Sequence, residues 1–101
     1  MVSAADLDAA VGRFMARVGH WSAHRWAIGA RADRVFALAQ VLADAGADVE
    51  GRPRRAVPRL EHASSLADQV AVLAADLVLV GAPDPVLRAA AAAIVETTRS
   101  L

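Results

Sequence analysis

The feature that most constrains this chain is an apolar seam whose members are spaced alternately four and three residues apart. It runs through Leu7, Val11, Phe14, Val18, Trp21, Ile28, Ala32, Val35, Ala39 and Leu42, with Arg25 its one charged position. That spacing aligns side chains along one side of an α-helix. Sustained over about five heptads, it is the a/d pattern of a helix that packs against other helices. The first half of the chain is therefore helical, and its stripe must be covered by the second half or by another molecule.

Two arrangements fit the seam. In one, residues 4–45 form a single helix of roughly 60 Å, at about 1.5 Å per residue. A compact domain of about 100 residues has a radius of gyration near 13 Å, so such a helix would overhang and call for a partner. In the other, Gly19 ends the first helix, Ser22 caps a second, and the chain closes as a four-helix bundle. Gly12, Gly19 and Gly29 each disfavour helix by about 1 kcal/mol relative to Ala, which argues for the break. The unbroken phase across Gly19 argues for continuity, and periodicity is the stronger of the two signals. Ser3 is placed to cap the start, and Gly46 is placed to end the pattern as a C-terminal glycine.

Residues 46–58 read as a loop rich in Arg, Pro and Gly. A helix is expected over 59–80, with a seam of Ala63, Leu66, Val70, Leu73, Leu77 and Val80. Val72, Val78 and Leu79 make its C-terminal half apolar nearly all round, the mark of a helix covered on several sides. Residues 76–81 would also serve as a buried strand, but one strand without a partner makes no sheet. Asp84 and Pro85 then open a helix over 84–99, with Leu87, Ala91, Ile94, Thr98 and Leu101 on its inner face. The short turn before it predicts an antiparallel helical hairpin. The fold class is all-α: a single helical domain, built either on the long N-terminal helix with the C-terminal hairpin or as a compact four-helix bundle.

The chain has 101 residues, no Cys, eleven basic residues that are all Arg, and eleven acidic ones. The charge balance argues against nucleic acid as a partner, and no basic recognition helix follows a helix-turn-helix turn. The longest apolar run, 70–80, is too short for a bilayer and is interrupted by Asp76, so no membrane partner is expected. The first residues lack the pattern of a signal peptide, which makes the cytoplasm the expected location. Arg in place of every Lys reflects GC-rich coding and suggests a bacterial source.

Candidate chemistry concentrates in residues 20–26. His20 and His24 stand four apart, a helical spacing that can hold a divalent ion, and His62 is the remaining candidate ligand. Neither an HExxH motif nor a Glu-x-x-His pair accompanies them. Trp21 lies on the seam and is expected in a core or interface. Trp26 falls about 140° around the helix from it and is expected off the main seam, either as a half-exposed anchor or on a second packing face. Arg25 either pairs within a helical interior or reaches solvent at a kink. In a continuous helix, Arg13, Arg17, His20, His24, Arg31 and Arg34 would form a basic stripe beside the apolar one, suited to an acidic partner. There is no Gly-rich phosphate loop and no nucleophile motif, so neither a catalytic residue nor a cofactor is expected.

These features point to a non-enzymatic helical module for oligomerisation or protein interaction, in an adaptor or regulatory role. Its expected partner is a second copy in a homodimer, or another helical protein. The alternative is a protein that binds a small molecule or metal in a pocket lined by His20, Trp21, His24, Arg25 and Trp26.

Overall fold

A computed structural model describes the backbone of residues 2–101 and the side chains of residues 3–101. Five helices follow one another: α1 (Val2–Val18), the single turn α2 (Ala23–Trp26), α3 (Arg31–Glu50), α4 (Ser65–Leu79) and α5 (Asp84–Arg99). The all-α bundle expected from the seam is present. The continuous helix over 4–45 is not, because the chain breaks after Val18 and again after Trp26.

The first break has local causes. Ser22 caps α2, its Oγ accepting the Arg25 N–H at 3.2 Å. At Gly19 a side chain would collide with the preceding turn, since an added Cβ would lie 2.6 Å from the Met15 carbonyl oxygen. The second break falls at Gly29, whose φ of 59° is a left-handed conformation that glycine adopts without strain. Packing supplies the larger reason. A straight helix would carry half of the stripe beyond the reach of the other helices. Two turns fold it back, so that Leu7, Phe14 and Val18 on α1 and Val35, Ala39 and Leu42 on α3 join one core, each helix packing on α4 and α5. Burying a large apolar side chain contributes roughly 1.5–3 kcal/mol, more than any helix-propensity term at a single glycine. The seam positions left behind at the corner, Arg25 and Ile28, are both exposed. The Cα radius of gyration is 13.0 Å, the value of a closed domain and not of one with an overhanging helix.

Other boundaries move as well. Ser3 lies inside α1 and is buried, so it is not the cap. Gly46 is helical, and α3 continues to Glu50 before ending at Gly51 with φ 67°. There the Arg52 N–H donates to the Ala47 carbonyl at 3.0 Å and the Gly51 N–H to that of Asp48 at 3.2 Å, a helix stop made by a left-handed glycine. The helix expected from residue 59 begins only at Ser65. The last helix spans the residues expected of it, with Leu87, Ala91, Ile94 and Leu101 buried.

Residues 52–60 form an extended strap that retraces α3 from its C-terminal to its N-terminal end. Arg52 pairs with Glu50, Arg54 with Asp48, and Arg59 with Asp33. Between them Gln40 grips the strap backbone with both ends of its amide: Nε2 donates to the Arg55 carbonyl at 3.0 Å and Oε1 accepts the Val57 N–H at 2.9 Å. Arg59 also lies over the Phe36 ring, 4.1 Å from its centroid. Pro53 and Pro58 favour extended backbone here and at the residues before them. Because the strap returns to the start of α3, α4 runs parallel to α3, with Gln69 donating to the Pro58 carbonyl near one end and Leu77 against Gly46 near the other. The α4–α5 connection does reverse the chain, but the two helices touch little. Each packs mainly on α1 and α3, so the expected hairpin is splayed around them.

Candidate functional site

The corner between α1 and α3 gathers both tryptophans. Trp21 and Trp26 meet edge to face with ring centroids 5.0 Å apart. The guanidinium groups of Arg25 and Arg31 lie 5.3 and 5.0 Å from the Trp21 ring centroid, and Arg31 also donates to the Arg25 carbonyl at 3.3 Å. Arginine over an indole face is attracted by the ring's quadrupole. Arg25 thus takes the solvent-directed course at a bend and is not buried in a helical interior.

Trp26 is the largest fully buried side chain among the described residues, 1% exposed, so of its two expected placements the half-exposed anchor is not realised. The turn at 27–30 removes the helical geometry on which that placement rested. Its Nε1 N–H meets no acceptor in the protein. Leaving a buried donor unpaired costs about 1–3 kcal/mol, so the position is unusual for a tryptophan.

The remaining candidates do not converge. His20, His24 and His62 are exposed, and among the described residues no three His, Asp or Glu side chains come close enough to hold a metal ion. The basic stripe is split over separate elements by the two turns. Arg13 and Arg17 stay on α1, while Arg34 donates to the Ser100 carbonyl at 2.8 Å and so ties α3 to the C-terminal residues. The pocket anticipated from His20, Trp21, His24, Arg25 and Trp26 therefore loses its histidines and Arg25 to solvent and keeps the two indoles.

Those indoles border a small polar cavity of about 220 Å³, which α4 closes from the other side with Ser64, Ser65 and Asp68. Ser64 occupies the N-cap position of α4 but makes no capping hydrogen bond. The first N–H groups of α4 are met by backbone instead, Ser65 donating to the His62 carbonyl and Leu66 to that of Ala63, both at 3.0 Å.

A larger feature lies along the strap. An open groove of about 730 Å³ runs between α3, the strap and α4, with Leu42, Val57, Leu60, Val72 and Leu73 among its apolar walls. Arg55 and Asp76 stand at its sides. The chain matches no family model, no curated protein and no solved structure. The outer side of α4 continues the groove's apolar character. Val72 is 60% exposed and Leu79 82% exposed, with Val78 and Val80 nearby. Sequence reasoning assigned no role to Gln40, Gln69 or Arg55. The one signal pointing here was the apolar girth of the helix ending at Val80, read there as the mark of a helix covered on several sides.

No helix among the described residues is long and apolar enough to cross a membrane. Asp48 on α3 and Arg54 on the strap perturb each other. Hydrogen bonds from Arg54 to both Asp48 oxygens, at 3.0 and 2.7 Å, hold that carboxyl below its ordinary range, and Asp48 raises Arg54 in return.

Proposed function

We propose that this chain is a non-enzymatic interaction module that pairs with a second copy of itself through α4 and the strap. The observation that carries the reading is the ridge of Val72 and Leu79, exposed two helical turns apart on α4, beside the apolar groove. A ridge and a groove side by side on one face suit a two-fold contact, in which each copy offers both halves. Charge fits the same arrangement. Among the described residues, Arg55 and Asp76 make no ion pair within the chain, and a two-fold axis between them would set each opposite its counterpart. The seam on the first half of the chain gives no reason for pairing, because α4 and α5 cover it. The apolar excess lies on α4 instead.

Size-exclusion chromatography with light scattering tests the proposal. The wild type is expected to be a dimer at micromolar concentration. Leu79→Glu, on a side chain 82% exposed in the monomer, is expected to yield a helical monomer, with Val72→Glu acting likewise. A monomeric wild type would overturn the pairing.

A further inference from the structure

We infer that the face built by α1, the end of α5 and the start of α3 binds the phosphate backbone of duplex nucleic acid without reading its sequence. The two turns part the arginines of α1 from those of α3, and α5, which packs on both helices, bridges the gap. Arg13 on α1 and Arg99 at the end of α5 line one cavity together with Val95 and Thr98. Toward α3, the Arg34 guanidinium donates to the Ser100 carbonyl, one residue beyond Arg99. Arg17 lies one turn past Arg13 and is exposed. Arg31 lies one turn before Arg34, where it and Arg25 flank the Trp21 ring. Arginines thus follow one another from α1 across α5 to the start of α3.

Among the described residues, Arg13, Arg17, Arg25, Arg31 and Arg34 make no ion pair, and Arg99 has only Glu96, at 4.0 Å. The acids lie elsewhere. Asp33 points to the strap, where it pairs with Arg59, and Asp44, Asp48 and Glu50 meet Arg52 and Arg54. Asp6, Asp8 and Asp84 sit in the N-terminal halves of α1 and α5, while Asp68 and Asp76 are on α4. The balance of eleven basic and eleven acidic residues is therefore an average over two sides of unlike charge.

The make-up of this face selects its partner. A protein interface is held by buried aromatic or aliphatic anchors, and charge is depleted at its centre. A peripheral membrane site adds apolar insertion or a lipid chain to its basic residues. Among the described residues, no large apolar side chain is exposed on α1 or α5. Trp21 is buried beneath two arginines, so no ring is free to stack on an unpaired base. What remains is a partner bound by charge alone. A duplex carries about one negative charge per 1.7 Å of its axis, and the planar guanidinium donates to phosphate oxygens in pairs. Packed helices lie about 8–10 Å apart, so a row crossing three of them reaches several phosphates of one duplex. The face lies across the bundle from α4 and does not depend on pairing of the chain.

Fluorescence anisotropy of a labelled DNA duplex of about 20 base pairs, titrated with the full chain, tests the inference. Binding is expected to saturate at about 20 mM NaCl and to weaken up to about 200 mM, with a logarithmic salt slope of about −4, as about four or five phosphate contacts require. A second duplex of unrelated sequence is expected to bind within about threefold of the first. Arg13→Gln combined with Arg17→Gln keeps helix propensity and is expected to weaken binding at least about tenfold and to reduce the slope by about 2. Arg52→Gln combined with Arg55→Gln makes the same change of net charge on the strap and is expected to stay within about threefold of the wild type. Four results would overturn the inference: no saturable binding at about 20 mM NaCl; a slope shallower than about −1; equal losses in the two double variants; or polyglutamate or phosphatidylserine vesicles bound as tightly as the duplex.

Discussion

Replacing Gln40 with Met isolates the clamp that holds the strap. Met keeps an unbranched side chain of similar length and good helix propensity, so α3 should persist while both amide contacts to the strap disappear. Those contacts are the bonds to the Arg55 carbonyl at 3.0 Å and from the Val57 N–H at 2.9 Å. A net value of about 0.5–1.5 kcal/mol per hydrogen bond gives a loss of about 2 kcal/mol, with the half-buried Val57 N–H left without its acceptor. For a domain of this length that corresponds to a fall in Tm of roughly 8–16 °C. Gln40 also donates to Asp44 at 2.9 Å, a local contact that Asp44→Ala removes by itself. That control should cost under about 1 kcal/mol, because the contact lies within one helix near the surface. Thermal unfolding by circular dichroism gives the magnitude, and amide hydrogen exchange at Val57 gives the location. If Gln40→Met melted within about 2 °C of the wild type and the Val57 amide kept its protection, the strap would be held by its arginines and prolines and the clamp argument would fail.

Two further outcomes follow from the corner and the strap. Gly19→Ala should lower stability by about 1–3 kcal/mol in a melting experiment, because the new Cβ would meet the Met15 carbonyl; a continuous helix would instead gain about 1 kcal/mol from the same change. Asp48 has its carboxyl pKa lowered chiefly by the Arg54 hydrogen bond, so its contribution is present above the unfolded value and is lost as pH falls through the lower folded one. Asp48→Asn should therefore lower Tm slightly near neutrality and flatten its dependence on pH below about pH 4, so that variant and wild type converge in acid, as a pH series of melts would record.

Much of the architecture was legible in residue spacing. The four-three seam correctly marked Leu7, Phe14, Val18, Val35, Ala39 and Leu42 as core, and the Asp-Pro start with its inward Leu87, Ala91 and Ile94 placed α5. Spacing could not show that the seam turns twice. Helical phase reports which side of a helix is apolar, and α1 and α3 each keep that side toward the same core after the chain bends. The competing glycine signal was the better guide, marking Gly19 and Gly29, where the chain turns, although it marked the helical Gly12 as well. Gly46 misled in the other direction, since a helix tolerates one glycine and Gly51 was the true stop. The site was less legible. Histidine spacing drew attention to 20–26, yet the corner turns His20 and His24 outward and encloses Trp26, a reversal that only the bend explains. Ser64, Ser65 and Asp68 reach the tryptophans because α4 starts where the strap ends, a long-range placement with no periodicity to announce it. The apolar girth of α4 was visible, but its uncovered side depended on where α5 went.

The strap's path also ties two lengths together. From Asp33 to Glu50, α3 rises about 25 Å at 1.5 Å per residue, and the extended backbone from Gly51 to Arg59 covers about the same distance at roughly 3.1 Å per residue. There is no slack between Gly51 and the Arg59–Asp33 pair. A homologue with one more turn in this helix would need about two more residues in the return path, and one with a shortened return path would have to start α4 farther along the bundle. Insertions and deletions in these two segments should therefore be found together, in a ratio near two helical residues for each extended one.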